Sequence, residues 1–101
     1  MLILNGKYIK YSICNFEPRI NDGKRVIYNI DSKAELELDD KKEQIWNMLV
    51  RAAEGDDISD SLITQCISRT YKLPENTIMD TAFYVKNVII SLIENKFILV
   101  Q

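Results

Sequence analysis

The residues of this chain whose types could do chemistry are two cysteines, two pairs of adjacent carboxylates and one lysine set among apolar neighbours. Cys14 and Cys66 stand far apart and neither belongs to a Cys-x-x-Cys pair, so a zinc knuckle or dithiol centre is not indicated. Buried free thiols are expected instead. Asp39-Asp40 and Asp56-Asp57 supply neighbouring acids, but acids near helix starts more often cap amides or face water than work as catalytic pairs. The chain contains no histidine. That removes the commonest metal ligand and the commonest general base near neutral pH. The expectation is a protein that is not an enzyme and uses no metal and no cofactor.

The elements that must position these residues come from an ordinary globular composition. Of 101 residues, 47% are hydrophobic and 28% charged, with no repeat and no Pro/Gly/Ser-rich linker. One domain over residues 1–101, with one modest core, is expected. A net charge of -2 and a pI near 5.1 give no overall attraction to phosphate backbones or anionic lipid. Neither nucleic acid nor membrane is therefore an expected partner. Lys86-Asn87 and Glu94-Asn95-Lys96 break the longest apolar runs, far short of the ~20 residues that cross a bilayer. No long apolar segment with a cleavage site follows Met1 to Lys10, so a cytoplasmic location is expected.

Strands come first and helices follow. From Tyr8 to Asn29 the β-branched and aromatic residues are enriched, as half-buried pleated surfaces prefer. Asp22-Gly23 is a tight-hairpin signal, so the first two strands flank it. Pro18 marks the strand before the turn as an edge or as irregular. Lys33, Ala34, Glu35, Leu36, Glu37 and Leu38 alternate strictly, which predicts a third strand with Ala34, Leu36 and Leu38 on one face. Asp40 and Glu43 have the spacing of a capping box. The first helix then runs to about Ala53 with Ile45, Trp46, Leu49 and Val50 inward, and Gly55 stops it. Ser59 caps a second helix carrying Ile63, Cys66 or Ile67, and Tyr71 inward, ended by Leu73-Pro74.

The third helix begins at Pro74 or Asn76 and continues to about Asn95. At roughly 100° per residue, Ile78, Ala82, Val85, Ile89, Leu92 and Ile93 form its core stripe. Met79, Phe83 and Ile90 widen the apolar arc to about half the circumference, and Lys86 interrupts it. Two readings follow. This flank packs under the amino-terminal sheet with the Lys86 ammonium reaching water, or it lines a groove beside the third strand where Lys86 meets a bound peptide.

The run Asp22-Gly23-Lys24-Arg25-Val26-Ile27, then Leu36-Glu37-Leu38-Asp39, then Ile45-Trp46-Asn47-Met48-Leu49 resembles the hairpin, third strand and first helix of PqqD-like recognition elements. In that family a Leu-Asn pair precedes a helix bearing Ile-Trp. Ile58, Ile63, Ile67, Tyr71, Pro74, Ile78, Asp80, Val85, Leu92 and Phe97-Ile98 follow its two remaining helices. The resemblance covers nearly all of the chain after Tyr8. Asp39 stands where the family has Asn, and Lys96 where it commonly has Gly.

The resemblance implies an α+β, winged-helix-like domain, a three-stranded antiparallel sheet followed by three helices. It implies binding of the leader region of a ribosomally made precursor peptide by strand addition. A separate maturation enzyme, such as a leader peptidase or a radical SAM protein, would receive the leader, as in lasso-peptide and quinone-cofactor pathways. Carried over, the pairing edge is Lys33, Ala34, Glu35, Leu36, Glu37 and Leu38, and the covering wall is Met79, Phe83, Lys86 and Ile90. Two rivals remain. A winged-helix DNA-binding regulator fits the helix-turn-helix outline, although Glu75 and Asp80 offer acids where phosphate contacts want cations. A structural dimerisation subunit would use the exposed strand edge.

Overall fold

Asn5-Gly6 and Asp22-Gly23 each place two successive residues at φ of +52° and +77°, the hairpin turn geometry whose twist matches its flanking strands. The first turn joins β1 (Leu2–Leu4) to β2 (Lys7–Ile9); β3 (Tyr11–Ile13) follows. The second joins β4 (Phe16–Asn21) to β5 (Lys24–Asn29), and β6 (Glu35–Glu37) completes the amino-terminal half. Then come α1 (Asp40–Ala52), β7 (Ile58–Ser59), α2 (Asp60–Thr70), a 3-10 turn over Glu75–Thr77, α3 (Ile78–Glu94) and β8 (Ile98–Val100). The computed structural model describes residues 1–101.

The chain is an α+β fold with three helices and three sheets. The expected three-stranded antiparallel sheet is present as β4-β5-β6, but it is not the only sheet. β1 lies between antiparallel β2 and parallel β7, and β3 pairs antiparallel with β8. The β-rich run that begins at Tyr8 is divided among several strands: Asn5-Gly6 folds Tyr8 back against Ile3, Tyr11–Ile13 pairs with Ile98–Val100, and the strand before the Asp22-Gly23 turn begins at Phe16. Strands also follow the first helix, as β7 and β8. The third strand is shorter than the alternation predicts. Lys33 takes a left-handed φ of +64° and belongs to the turn before β6.

One continuous core joins these layers. Trp46 is buried and meets Phe16 and Phe97 edge-on, with ring centroids 5.3 and 6.1 Å away, the arrangement that aromatic quadrupoles favour. Ile45 and Leu49 from α1, Ile63 and Ile67 from α2, Val85, Ile89 and Leu92 from α3 and Leu2 from β1 complete it. The α3 stripe is rotated from the expected one. Ile78 is exposed, Ala82 and Ile93 are half-buried, and Thr81 and Val88 take inward places. Thr81 is tolerated there because its hydroxyl donates to the Thr77 carbonyl at 3.1 Å.

Caps fix the helix starts. The Asp39 carboxylate accepts the Lys42 amide at 2.8 Å, and the Ser59 hydroxyl accepts the Leu62 amide at 3.0 Å. The cap of α1 is thus Asp39, one residue before the Asp40 of the expected capping box. Asp40 and Glu43 instead hold the Arg25 guanidinium at 2.9 and 3.1 Å, tying β5 to α1. Asn29, buried on β5, donates its amide to the Lys96 carbonyl at 2.9 Å.

Lys96 has a left-handed φ of +63° just past α3. The Lys96 N–H reaches the Ile93 carbonyl at 3.2 Å and the Phe97 N–H reaches the Leu92 carbonyl at 2.9 Å, a Schellman closure that prefers glycine. Lys96→Gly removes the Cβ penalty of about 1–2 kcal/mol, partly offset by glycine's freer unfolded chain. A net gain of about 0.5–1 kcal/mol in chemical denaturation is expected, and a loss would contradict this account of the turn.

Candidate functional site

The β4-β5-β6 sheet has two free edges, and they differ. The Asn29 N–H donates to the Ala34 carbonyl and the Leu38 N–H donates to the Arg25 carbonyl, both at 2.9 Å, and Ile27 faces Leu36. Antiparallel ladders alternate, so Leu36 and Leu38 turn their backbone groups to β5, as Ala34 does its carbonyl, its N–H donating to the Ser32 hydroxyl at 3.3 Å. Glu35 and Glu37 turn theirs outward, where no strand lies. At the other edge, the two-residue loop pairs Asn21 with Lys24, and Pro18 faces Ile27. The same alternation makes Pro18 an outward residue, so its missing N–H costs the ladder nothing and blunts that edge.

Beside the open edge runs a groove of about 240 Å³ lined by Leu36, Lys42, Tyr84, Asn87, Val88, Ser91 and Leu92. Leu36 and the α3 residues supply its apolar floor. Burial raises the Tyr84 phenol above the usual tyrosine range, and the charges of Asp39 and Tyr71 push the same way. The phenol therefore keeps its proton and can donate a hydrogen bond.

The structure divides the sequence-derived candidates. Ala34, Glu35, Leu36, Glu37 and Leu38 lie on or beside the open edge, and Lys33 lies in the preceding turn. Met79, Phe83 and Lys86 do not face them. They line a separate cleft of about 360 Å³ with Asp60, Thr64 and Gln65 of α2, on average roughly 100° around α3 from Tyr84 and Asn87. Ile90 continues their stripe, away from the edge groove. Nor does this flank pack under the amino-terminal sheet, since Met79 is 81% exposed and Phe83 68%. The β6 groove uses Tyr84, Asn87, Val88 and Ser91 instead. Their signal was the other polar–apolar border of the same helix, which the wider Met79-Phe83-Ile90 arc overshadowed.

Lys86 has its own partner. Its ammonium lies 3.8 Å from the Asp60 carboxylate, which is 6% exposed, while the lysine side chain is 39% exposed. Asp60 is also the first residue of α2, where the helix dipole favours a negative charge. The lysine therefore joins α3 to the start of α2.

A larger apolar cavity, about 440 Å³, sits between the hairpin and α1, lined by Phe16, Pro18, Ile20, Ile27, Leu38, Trp46 and Val50 among others. The strand edge beside it is that of β4, which Pro18 blunts, and its two arginines are engaged, Arg25 by Asp40 and Glu43 and Arg19 by Glu17. The smaller β6 groove has the better claim, because backbone donors and an apolar floor converge there.

No group of three or more Cys, Asp or Glu side chains is placed to hold a metal ion, and no helix is long and apolar enough to cross a membrane. Cys14 is buried and its thiol is pushed up by desolvation first, then by the Asp31 charge, which disfavours the nucleophilic thiolate. No family model matches the chain, and no curated protein or solved structure is significantly similar to it.

Two outcomes follow. Lys86→Met leaves the buried Asp60 carboxylate without its cation, and partial exposure of the pair limits the cost to about 1–2 kcal/mol. Denaturation should show that loss and Asp60→Asn in the same chain should recover most of it; an unchanged midpoint for Lys86→Met would dismiss the pair. Tyr11, Cys14 and Tyr84 are all raised, each chiefly by burial. The folded protein then holds protons that the unfolded chain releases, so stability falls with rising pH above about 9. Thermal melts across pH 7–11 should be flat below that point and decline beyond it.

Proposed function

We propose that this protein binds the leader region of a ribosomally made precursor peptide as an added strand on β6. The observation that carries the reading is the asymmetry of the sheet. One edge is blunted by Pro18, while the other presents the free backbone groups of Glu35 and Glu37 beside an apolar groove. Strand addition draws affinity from main-chain hydrogen bonds and specificity from pockets for alternate side chains. The peptide's inward residues would rest on Leu36, Tyr84 and Val88, with the Tyr84 hydroxyl and Asn87 within the same groove.

The resemblance to PqqD-like recognition elements supports the same edge and gives the arrangement of β4-β5-β6 with α1, α2 and α3 a winged-helix-like reading. Under it the protein is non-catalytic. It holds the leader and presents the core peptide to a separate maturation enzyme, a leader peptidase or a radical SAM protein. A nucleic-acid role draws little support, because exposed Glu75 and Asp80 stand at the start of α3, where a recognition helix would meet phosphates.

The test uses the leader of a precursor encoded beside the gene, followed by Trp46 emission or amide shifts. A dissociation constant between ~10 nM and ~10 μM is expected, where a few anchors offset the ordering of a flexible ligand. Glu35→Pro deletes an outward amide without touching the β5 ladder, so affinity should drop at least about tenfold, the scale of one or two lost backbone hydrogen bonds. Arg19→Ala, on the outer face of β4, should bind as the wild type does. Normal leader binding by a folded Glu35→Pro variant would remove β6 as the docking line.

A further inference from the structure

The charges along the open edge narrow the peptide further; this rests on the reading that β6 accepts a strand. An added strand alternates its side chains between the two faces of the sheet. Residues on the inner face enter the groove of Leu36, Tyr84 and Val88. Residues on the outer face come level with Glu35 and Glu37, both exposed. Glu37 is met by Lys24 at 3.2 Å, whereas Glu35 receives only a hydrogen bond from the Asn21 side-chain amide at 3.3 Å and has no cationic partner. The outer row thus carries an excess of negative charge at the point where a guest strand must settle.

The same two carboxylates act against a second copy of this chain. Antiparallel pairing of two β6 edges about a two-fold axis through Leu36 sets Glu35 of one copy opposite Glu37 of the other. Like charges directly opposite destabilise such a pair, and charged side chains are a common guard of exposed edges.

We propose that Glu35 and Glu37 select a leader segment alternating apolar residues inward with Lys or Arg outward, and that they keep β6 from pairing with itself. Lys42, at the inner rim of the groove, adds to the sorting by repelling a cation on the inner face. Each matched cross-strand charge pair changes affinity by a few-fold.

A display library of random peptides, selected on the wild-type protein and on Glu35→Lys/Glu37→Lys, tests this without a known ligand. Both positions are exposed, and circular dichroism checks the fold; Glu35→Gln/Glu37→Gln serves if the lysine variant is unfolded. Lys and Arg at every second position are expected with the wild type, and Asp and Glu with the reversed edge. Each set should prefer its own protein by about tenfold, the sum of two such pairs, and the glutamine variant should select neither charge. Peptides that lose binding to Glu35→Pro yet show no charge bias would overturn the selection and leave strand addition standing. Peptides indifferent to Glu35→Pro would overturn both. In sedimentation the wild type should be monomeric and Glu35→Thr/Glu37→Thr should associate; a wild-type dimer dissolved by Glu35→Pro, or a threonine variant that stays monomeric, would end the guarding role.

Discussion

The side chain of Asn29 holds the two walls of the groove in register with each other. It is 1% exposed, and both ends of its amide are used. Its Oδ1 accepts the Asp31 and Ser32 amides, each at 3.1 Å, and its Nδ2 donates to the Lys96 carbonyl at 2.9 Å. Its backbone carbonyl accepts the Lys33 N–H at 2.8 Å. One residue therefore shapes the turn that launches β6 and anchors the turn that ends α3. An apolar side chain here would leave two part-buried amides and a carbonyl without that partner and open to water, at the scale of about 1 kcal/mol for each hydrogen bond lost. A polar residue in the interior is tolerated because both its Oδ1 and its Nδ2 find partners.

From that anchor the rest of the site follows by short steps. The Lys96 turn delivers Phe97 to the Trp46 ring, and Trp46 joins α1 to Phe16 at the start of β4. Arg25, clasped by Asp40 and Glu43, ties the same sheet to the first turn of α1. Helix α3 is thereby held beside β6, and the gap between them is the groove. Its position is set by packing and by satisfied polar groups on several elements.

Much of this was legible in the sequence. Asp22-Gly23 announced the hairpin, the Lys33-to-Leu38 alternation announced a strand with a wet face, and Ser59 announced a helix start. Each is a local signal whose cause lies within a few residues. Asn5-Gly6 carries an equally good turn signal, but the strands it joins are only three residues long and show no period. The pairing of β7 and β8 with β1 and β3 left no local trace, since two- and three-residue strands show no period. On α3 polarity misleads: Thr81 hides its hydroxyl against its own helix, so a polar residue turns inward while Ile78 turns out. Which amides of β6 face outward depends on register with β5, which alternation alone does not fix.

The topology also orders the assembly of the molecule in time. The meander of β4, β5 and β6 closes through short loops, whereas Leu2 must find Ile58 and Tyr11 must find Val100 across most of the chain. Loop-closure entropy makes those distant pairings the expensive ones, and contacts of long sequence separation slow folding. The slow steps thus fall on the two sheets that take no part in the groove, while the strand that would receive a guest belongs to the segment cheapest to form. A nascent chain can complete the open β6 edge well before its outer sheets close.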